Sequence, residues 1–178
     1  MPERSAGPEH AQHRAAARRP ADLELRDAEV DDLWRLLDIE QRSFSGDLLS
    51  RRALRYLVTR AHAINLVACV GDFVTGYVGV LLRRGSDIAR VYTIAVDPDW
   101  RGRGIGNRLL AAAEQRAAAA GRQRMRLEVR LDNAPAINQY HRAGYLDMGR
   151  IPGYYQDGQT AIRMQKRLSD ASPGREPA

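Results

Sequence analysis

The residues best suited to chemistry in this chain run from Asp97 to Asn107: Asp97-Pro98-Asp99-Trp100-Arg101-Gly102-Arg103-Gly104-Ile105-Gly106-Asn107. They follow an apolar stretch, Ile94-Ala95-Val96, that reads as a strand stopping at a proline, and they lead straight into a helical run from Arg108 to Ala120. Three glycines within five residues let the backbone approach a ligand and turn its amides outward. The first turn of the helix adds N–H groups without intrahelical partners and the positive end of a dipole. Together these describe an anion site suited to a pyrophosphate. A nucleotide-hydrolase loop would continue Gly-Lys-Ser/Thr, and Gly106-Asn107-Arg108 stands there instead. A dinucleotide loop would place a third glycine at 107 and an acidic residue roughly 20 positions on. Glu128 meets the second condition and Asn107 fails the first. A Gly-rich strand-to-helix turn with no ligand is the structural alternative.

Two further side chains could move protons. Glu128 sits in Leu127-Glu128-Val129-Arg130, where alternation puts the two apolar residues on one face and the carboxylate on the other. It is a candidate general base acting through water, and pairing with Arg126 or Arg130 on the same face is its structural alternative. Tyr140 follows Ile137 by three residues and shares that helix face. A phenol of pKa ~10 is a candidate proton donor, and a buried structural tyrosine is the alternative.

The pattern Arg101-x-x-Gly104-x-Gly106 resembles the acyl-CoA signature of the GNAT acetyltransferase superfamily: Arg or Gln, two residues, Gly, one residue, Gly or Ala. Leu127 to Arg130, Asp132-Asn133-Ala134-Pro135-Ala136-Ile137 and Tyr140-His141-Arg142-Ala143-Gly144-Tyr145 resemble the second half of its RimI-like subgroup. Arg150, Gly153-Tyr154-Tyr155 and Ala161-Ile162-Arg163-Met164 match that subgroup's closing tyrosine hairpin. The resemblance spans residues 23–168, with its specific motifs in 92–164.

It implies acetyl-CoA as co-substrate. The backbone of Gly102, Arg103, Gly104, Ile105, Gly106 and Asn107 would meet the pyrophosphate, with the Arg101 and Arg103 side chains at its edge. The pantetheine arm would lie along Ile94, Ala95 and Val96 as an added strand, and Asn133, which also reads as a helix cap, would contact it. The implied acceptor is a protein N-terminal amine, met by Tyr154, Tyr155 and the loop near Phe44. If the tyrosines lie in a strand, neighbours face opposite ways and one of them reaches the groove. The acceptor half departs from the subgroup pattern at two places. Ser45-Gly46-Asp47 replaces a Pro-Trp or Trp-Ser step, and Thr160 replaces the usual Asp.

The amine's chemistry bears on the choice of acceptor. At pH 7.4 an α-amine of pKa ~7.8 is about a quarter neutral, and a lysine of pKa ~10.4 about 0.1% neutral. A single carboxylate therefore suits an N-terminal amine better. A GNAT acting on a small-molecule amine or an internal lysine is the second reading. A non-catalytic acetyl-CoA sensor is the third, and it leaves Glu128 and Tyr140 without a role.

The elements that must position these residues follow from patterning. Strands are expected at 23–26, 64–70, 73–82, 89–96, 125–130, 146–151 and 161–168. Helices are expected after Asp27 or Asp31, after Ser50, over 107–120 and from Asn133 to Gly144. That order implies an α/β GNAT fold, a mixed central sheet of about seven strands with helices on both faces. The domain is expected over 21–168, preceded by a disordered Arg/Ala-rich tail over 1–20 and followed by a loose end over 169–178. Of the net charge of +6, residues 1–20 carry +2, the last ten −1 and the body +5. That charge suits a phosphorylated donor, while the sparse aromatics, not interleaved with arginines, argue against nucleic acid. The lone Cys69 lies in an apolar run and reads as an inert buried thiol, and the four histidines share no ligand spacing, so no metal is expected. No apolar run approaches a membrane span and no signal peptide is visible, so a cytoplasmic location is expected. No feature specifies an oligomeric state.

Overall fold

The structure, a computed structural model, describes residues 22–44, 46–59 and 62–168. The two terminal segments, 1–20 and 169–178, and Ser45 lie outside the described residues. Seven strands form one sheet: β1 (Leu23–Asp27), β2 (Ala63–Val70), β3 (Phe73–Leu82), β4 (Ile88–Val96), β5 (Arg124–Arg130), β6 (Leu146–Ile151) and β7 (Ala161–Arg167). Their order is β1-β2-β3-β4-β5-β7-β6. The α-helices among the described residues are α1 (Leu33–Ser43), α2 (Arg51–Thr59), α3 (Ile105–Ala119) and α4 (Ala134–Arg142). No described helix is long and apolar enough to cross a membrane.

Strand alternation divides the core in two. Leu66, Ala68 and Val70 of β2 pack with Leu109, Leu110, Ala113 and Ala117 of α3, a cluster that also holds Tyr140 of α4. Val67 and Cys69 point the other way, against Leu33, Leu36 and Ile39 of α1 and Leu54 of α2. Helices therefore cover both faces, and Cys69 is buried as its sequence context implied, with burial pushing the thiol's pKa up.

Two backbone features shape the site. The β3–β4 register passes from Gly79↔Thr93 to Val80↔Val91, leaving Tyr92 as a bulge. One extra residue reverses the alternation beyond it. Ala89 and Val91 thus belong to the α3 side, and Ala95 to the α1 side. The second feature is a split. Strands β4 and β5 pair in parallel only where Ile88, Ala89 and Arg90 face Arg124, Met125 and Arg126. Beyond these residues the strands separate, and the edge of β4 up to Val96 has no strand partner on the β5 side.

Three local expectations are corrected. Neither Asp27 nor Asp31 starts the first helix. A 3-10 turn over Val30–Asp32 precedes α1, and Asp32 reaches back to accept the Glu29 N–H at 2.8 Å while Arg26 clamps it at 2.7 and 2.8 Å. Helix α3 begins at Ile105, ahead of the expected 107, because Gly104 at φ 73° already closes the turn. Tyr154 and Tyr155 lie in the loop between β6 and β7, so strand alternation does not separate them. Ser50 does begin α2, accepting the Ala53 N–H at 3.2 Å.

Candidate active site

The turn after β4 is built to present backbone. Gly102 and Gly104 sit at φ 74° and 73°, where a side chain is strained, and a Cβ on either would project into open space. Gly104 provides no side-chain cap for α3. The first intrahelical bond runs from the Arg108 N–H to the Gly104 carbonyl at 3.1 Å, so the N–H groups of Ile105, Gly106 and Asn107 have no intrahelical partner. A Cβ on Gly106 would lie 3.3 Å from Gln139 Nε2, and that amide also donates to Asn107 Oδ1 at 2.8 Å. The Asn107 side chain thus ties α3 to α4 and leaves its backbone to the turn. Arg101 donates to the Val96 carbonyl at 3.2 Å, and Arg103 lies over the Trp100 ring at 4.7 Å.

The strand-to-turn junction is welded to α1. Asp97, 1% exposed, caps the turn by accepting the Asp99 N–H at 2.9 Å and pairs with Arg35 and, at 2.6 Å, with Arg42. Arg35 also donates to the Val74 carbonyl at 2.9 Å. A buried carboxylate without such partners would be strongly destabilising. Rigid support for the glycine turn follows from this pairing.

Glu128 lies on the sheet face toward α1 and α2, since Leu127 and Val129 occupy the α3 core. Its side chain is 4% exposed, and one oxygen accepts from Arg90 Nε at 2.9 Å while the other accepts from Arg163 Nε at 3.1 Å. The expected alternatives, Arg126 and Arg130, do not hold it. Arg163 sits directly opposite Glu128 in the β5–β7 register, and residues so placed are closer than neighbours two apart on one strand. Arg90 also donates to the Tyr154 hydroxyl at 2.7 Å. Burial opposes the charge on Arg90, but the bond to Glu128 and that carboxylate's charge outweigh it and hold the pKa above its ordinary value.

The two tyrosines of the β6–β7 loop pack edge to face, ring centres 5.0 Å apart. Arg130 stacks over Tyr155 at 4.9 Å and pairs with Asp157 at 2.8 Å. Burial, with Tyr154 close by, pushes the Tyr155 hydroxyl up to about 12. Asp47, in the loop between α1 and α2, accepts the Gln156 N–H at 3.1 Å and joins that loop to the tyrosine loop. Phe44 stands exposed at the end of α1 and makes no ring contact with either tyrosine.

Tyr140 lies on the other side of the sheet, in the α3–α4 core, with its hydroxyl pushed up to about 12 by burial alone. That hydroxyl has no partner among the described residues and is not sealed from solvent. Tyr145 fixes its ring: the two are 5.8 Å apart at 62°, and Tyr145 is anchored by donating to Glu114 at 3.0 Å. Asn133 Oδ1 accepts the Ala136 N–H at 3.2 Å as a helix cap, leaving its amide NH2 free of partners among the described residues. Glu128 and Tyr140 therefore lie on opposite faces of the sheet. The edge of β4 beyond Arg90, which lacks a strand partner on that side, could pair with an extended ligand.

The sequence profile of the Acetyltransferase (GNAT) family matches residues 30–145. The chain belongs to this family. It is 33% identical over 162 residues to the N-alpha-acetyltransferase RimI of Mycobacterium tuberculosis, covering 89% of this chain and 91% of that one. It is 28% identical over 147 residues to a putative [ribosomal protein bS18]-alanine N-acetyltransferase of Bacillus subtilis, covering 82% and 96%. The crystal structure of the ribosomal-protein-S18-alanine N-acetyltransferase from Escherichia coli superposes with a TM-score of 0.75 at 26% identity, covering 88% of this chain and 99% of that one. The seven-stranded mixed sheet expected from the sequence is the sheet of this GNAT fold.

Several side chains at the site of this GNAT enzyme were not singled out from its sequence. Arg90 and Arg163 hold Glu128, and Tyr92 is the bulge. A charged residue in mid-strand at 90 and at 163, each flanked by apolar neighbours, was the available signal. It marked a polar face without saying which strand lay beside which.

Proposed function

We propose that this GNAT enzyme transfers an acetyl group from acetyl-CoA to the α-amine of a protein N-terminus. The observation that carries the acceptor class is the state of Glu128, both of whose oxygens already accept hydrogen bonds from arginines. A carboxylate so engaged orients water and receives a proton readily given up. An α-amine, about a quarter neutral at pH 7.4, asks no more than that, and a lysine at about 0.1% asks far more. The relatives named for N-terminal acetylation support the same reading.

The residues present fit the donor. The unpaired amides of Ile105, Gly106 and Asn107 and the open faces of Gly102 and Gly104 suit a pyrophosphate, with Arg101 and Arg103 at its edge. The edge of β4 without a strand partner, across Ile94, Ala95 and the Val96 N–H, suits the pantetheine amides, and Asn133 would contact them. Bound acetyl-CoA supplies the activated thioester carbon.

The chain's own groups do the rest. A backbone N–H at the β4 edge donates to the carbonyl oxygen as negative charge grows there. Tyr154 and Tyr155, with Phe44 at the end of α1, position the peptide's first residues. Glu128, through water, takes the proton lost by the amine as the C–N bond forms. Tyr140, from the opposite face, donates a hydrogen bond toward the sulfur as the C–S bond breaks, and solvent protonates the released thiolate.

Release of CoA thiol should occur with a short peptide bearing a free N-terminal alanine and be absent with the same peptide blocked at that end. Equal silence on both, with acetyl-CoA shown to bind, would overturn the N-terminal reading and direct the search to small amines.

A further inference from the structure

We infer that the acceptor is an acidic N-terminal segment, whose side-chain carboxylates enter an arginine-lined cavity that shares Arg90 with Glu128. The inference rests on the reading that the acceptor is a protein N-terminus and specifies its class.

The cavity, of about 580 Å3, opens beside the start of β4 and the turn before it. Arg83 and Arg84 of the turn, Arg90 of β4 and Arg126 of β5 line it. The one acidic side chain among the lining residues, Asp87, is taken by Arg124 through bonds of 2.8 and 2.9 Å. Little negative charge is left for the other arginines. Arg126 Nε is buried without a partner, and the Arg83 guanidinium has no ion pair among the described residues. Arg84 spends its Nε on His62 at 3.0 Å, an imidazole that supplies no negative charge. Several guanidiniums around one concave space repel each other, and a buried donor without an acceptor is costly. An anion in the cavity relieves both.

Position decides what that anion belongs to. Arg90 reaches Glu128 and the Tyr154 hydroxyl with its guanidinium and lines the cavity with the same side chain. Arg90 thus links the cavity to the carboxylate beside which the proposed amine would sit. Ile88, two residues back along β4, also lines it, and two strand residues span about 7 Å. An extended peptide leaving Glu128 in that direction would bring its second to fourth residues against the arginines. Single-stranded nucleic acid is disfavoured, because no aromatic side chain lines the cavity to stack a base.

Three peptides of equal length, each with a free N-terminal alanine, test this with the full chain and acetyl-CoA. One carries Asp and Glu at positions two to four, one Gln and Ser, one Lys and Arg. The acidic peptide should show kcat/KM at least 10-fold above the neutral one at low salt, with the gap narrowing as salt rises. Arg126→Gln should cut the acidic-to-neutral ratio several-fold. Arg84→Glu should move it further and raise use of the basic peptide, a gain that mere loss of structure cannot produce. Equal use of acidic and neutral peptides by the wild type, or an unchanged ratio in both variants, would overturn the inference while leaving N-terminal acetylation intact. Silence on all three with acetyl-CoA bound would remove the N-terminal reading and this inference together.

Discussion

Replacing Tyr140 with Phe isolates one hydroxyl in a setting where little else should change. The ring keeps its packing on Tyr145, and the hydroxyl has no partner among the described residues to be orphaned. Stability should stay within about 0.5 kcal/mol of wild type, since no buried polar group is left unpaired. The effect on rate follows from the pKa. Burial pushes this phenol up to about 12. Complete transfer to a thiol of pKa ~8.5 is uphill by about 3.5 units, or roughly 5 kcal/mol. Tyr140 therefore acts chiefly as a donor to the sulfur while charge builds. A hydrogen bond to a charged group contributes about 1.5–3 kcal/mol, which is roughly 10- to 150-fold in rate. Tyr140→Phe should thus lower kcat by about 100-fold, short of the roughly 10⁴ at the top of the general-acid range. Affinity for acetyl-CoA should hold, because the hydroxyl is asked to act only as the C–S bond breaks. Thiol release under saturating donor and acceptor gives kcat, and calorimetric titration gives the affinity. A kcat within threefold of wild type, or a matching loss of donor affinity, would refute the reasoning. A raised folded pKa also fixes the alkaline behaviour: Tyr140's contribution to stability is complete below pH 10 and lost as pH climbs through about 12. The Phe variant should lack that loss in an alkaline unfolding series.

Gly104→Ala places a side chain at φ 73° with nothing within 4 Å, so the protein meets strain without a clash. Stability should fall by about 1–2 kcal/mol in urea titration, and affinity for CoA, measured by calorimetric titration, should fall at least tenfold. Asp32 should carry a measurable share of acid stability. Burial opposes its ionisation, but the Arg26 clamp and the Glu29 N–H outweigh this and hold its pKa below 3.8. The unfolded chain then binds the proton more readily, so the contribution is present above about pH 3.8 and lost as pH falls through the folded value. Asp32→Asn should be less stable than wild type at pH 7, and the gap should close below pH 4.

What the sequence of this protein determined by itself was local. Glycines at 102, 104 and 106 before a helical run were enough to locate the turn, because a positive φ and unpaired N–H groups at a helix start depend on adjacent residues only. Asn133 and Ser50 as caps, and the seven strands to within a few residues, were legible for the same reason. Asp27 and Asp31 were equally plausible caps by that logic, but the helix starts after Asp32, whose carboxylate Arg26 holds and which accepts the Glu29 N–H instead of capping the helix. Tertiary structure alone decided the company Glu128 keeps. Its partners come from β4 and β7, 38 and 35 residues away along the chain, and pairing register brings them to it. A bulge at Tyr92 then reverses a period that reads as continuous in the sequence. Short-range sterics write a turn into its own residues. A charge cluster across three strands depends on which strands are neighbours and in what register, and no single segment carries that information.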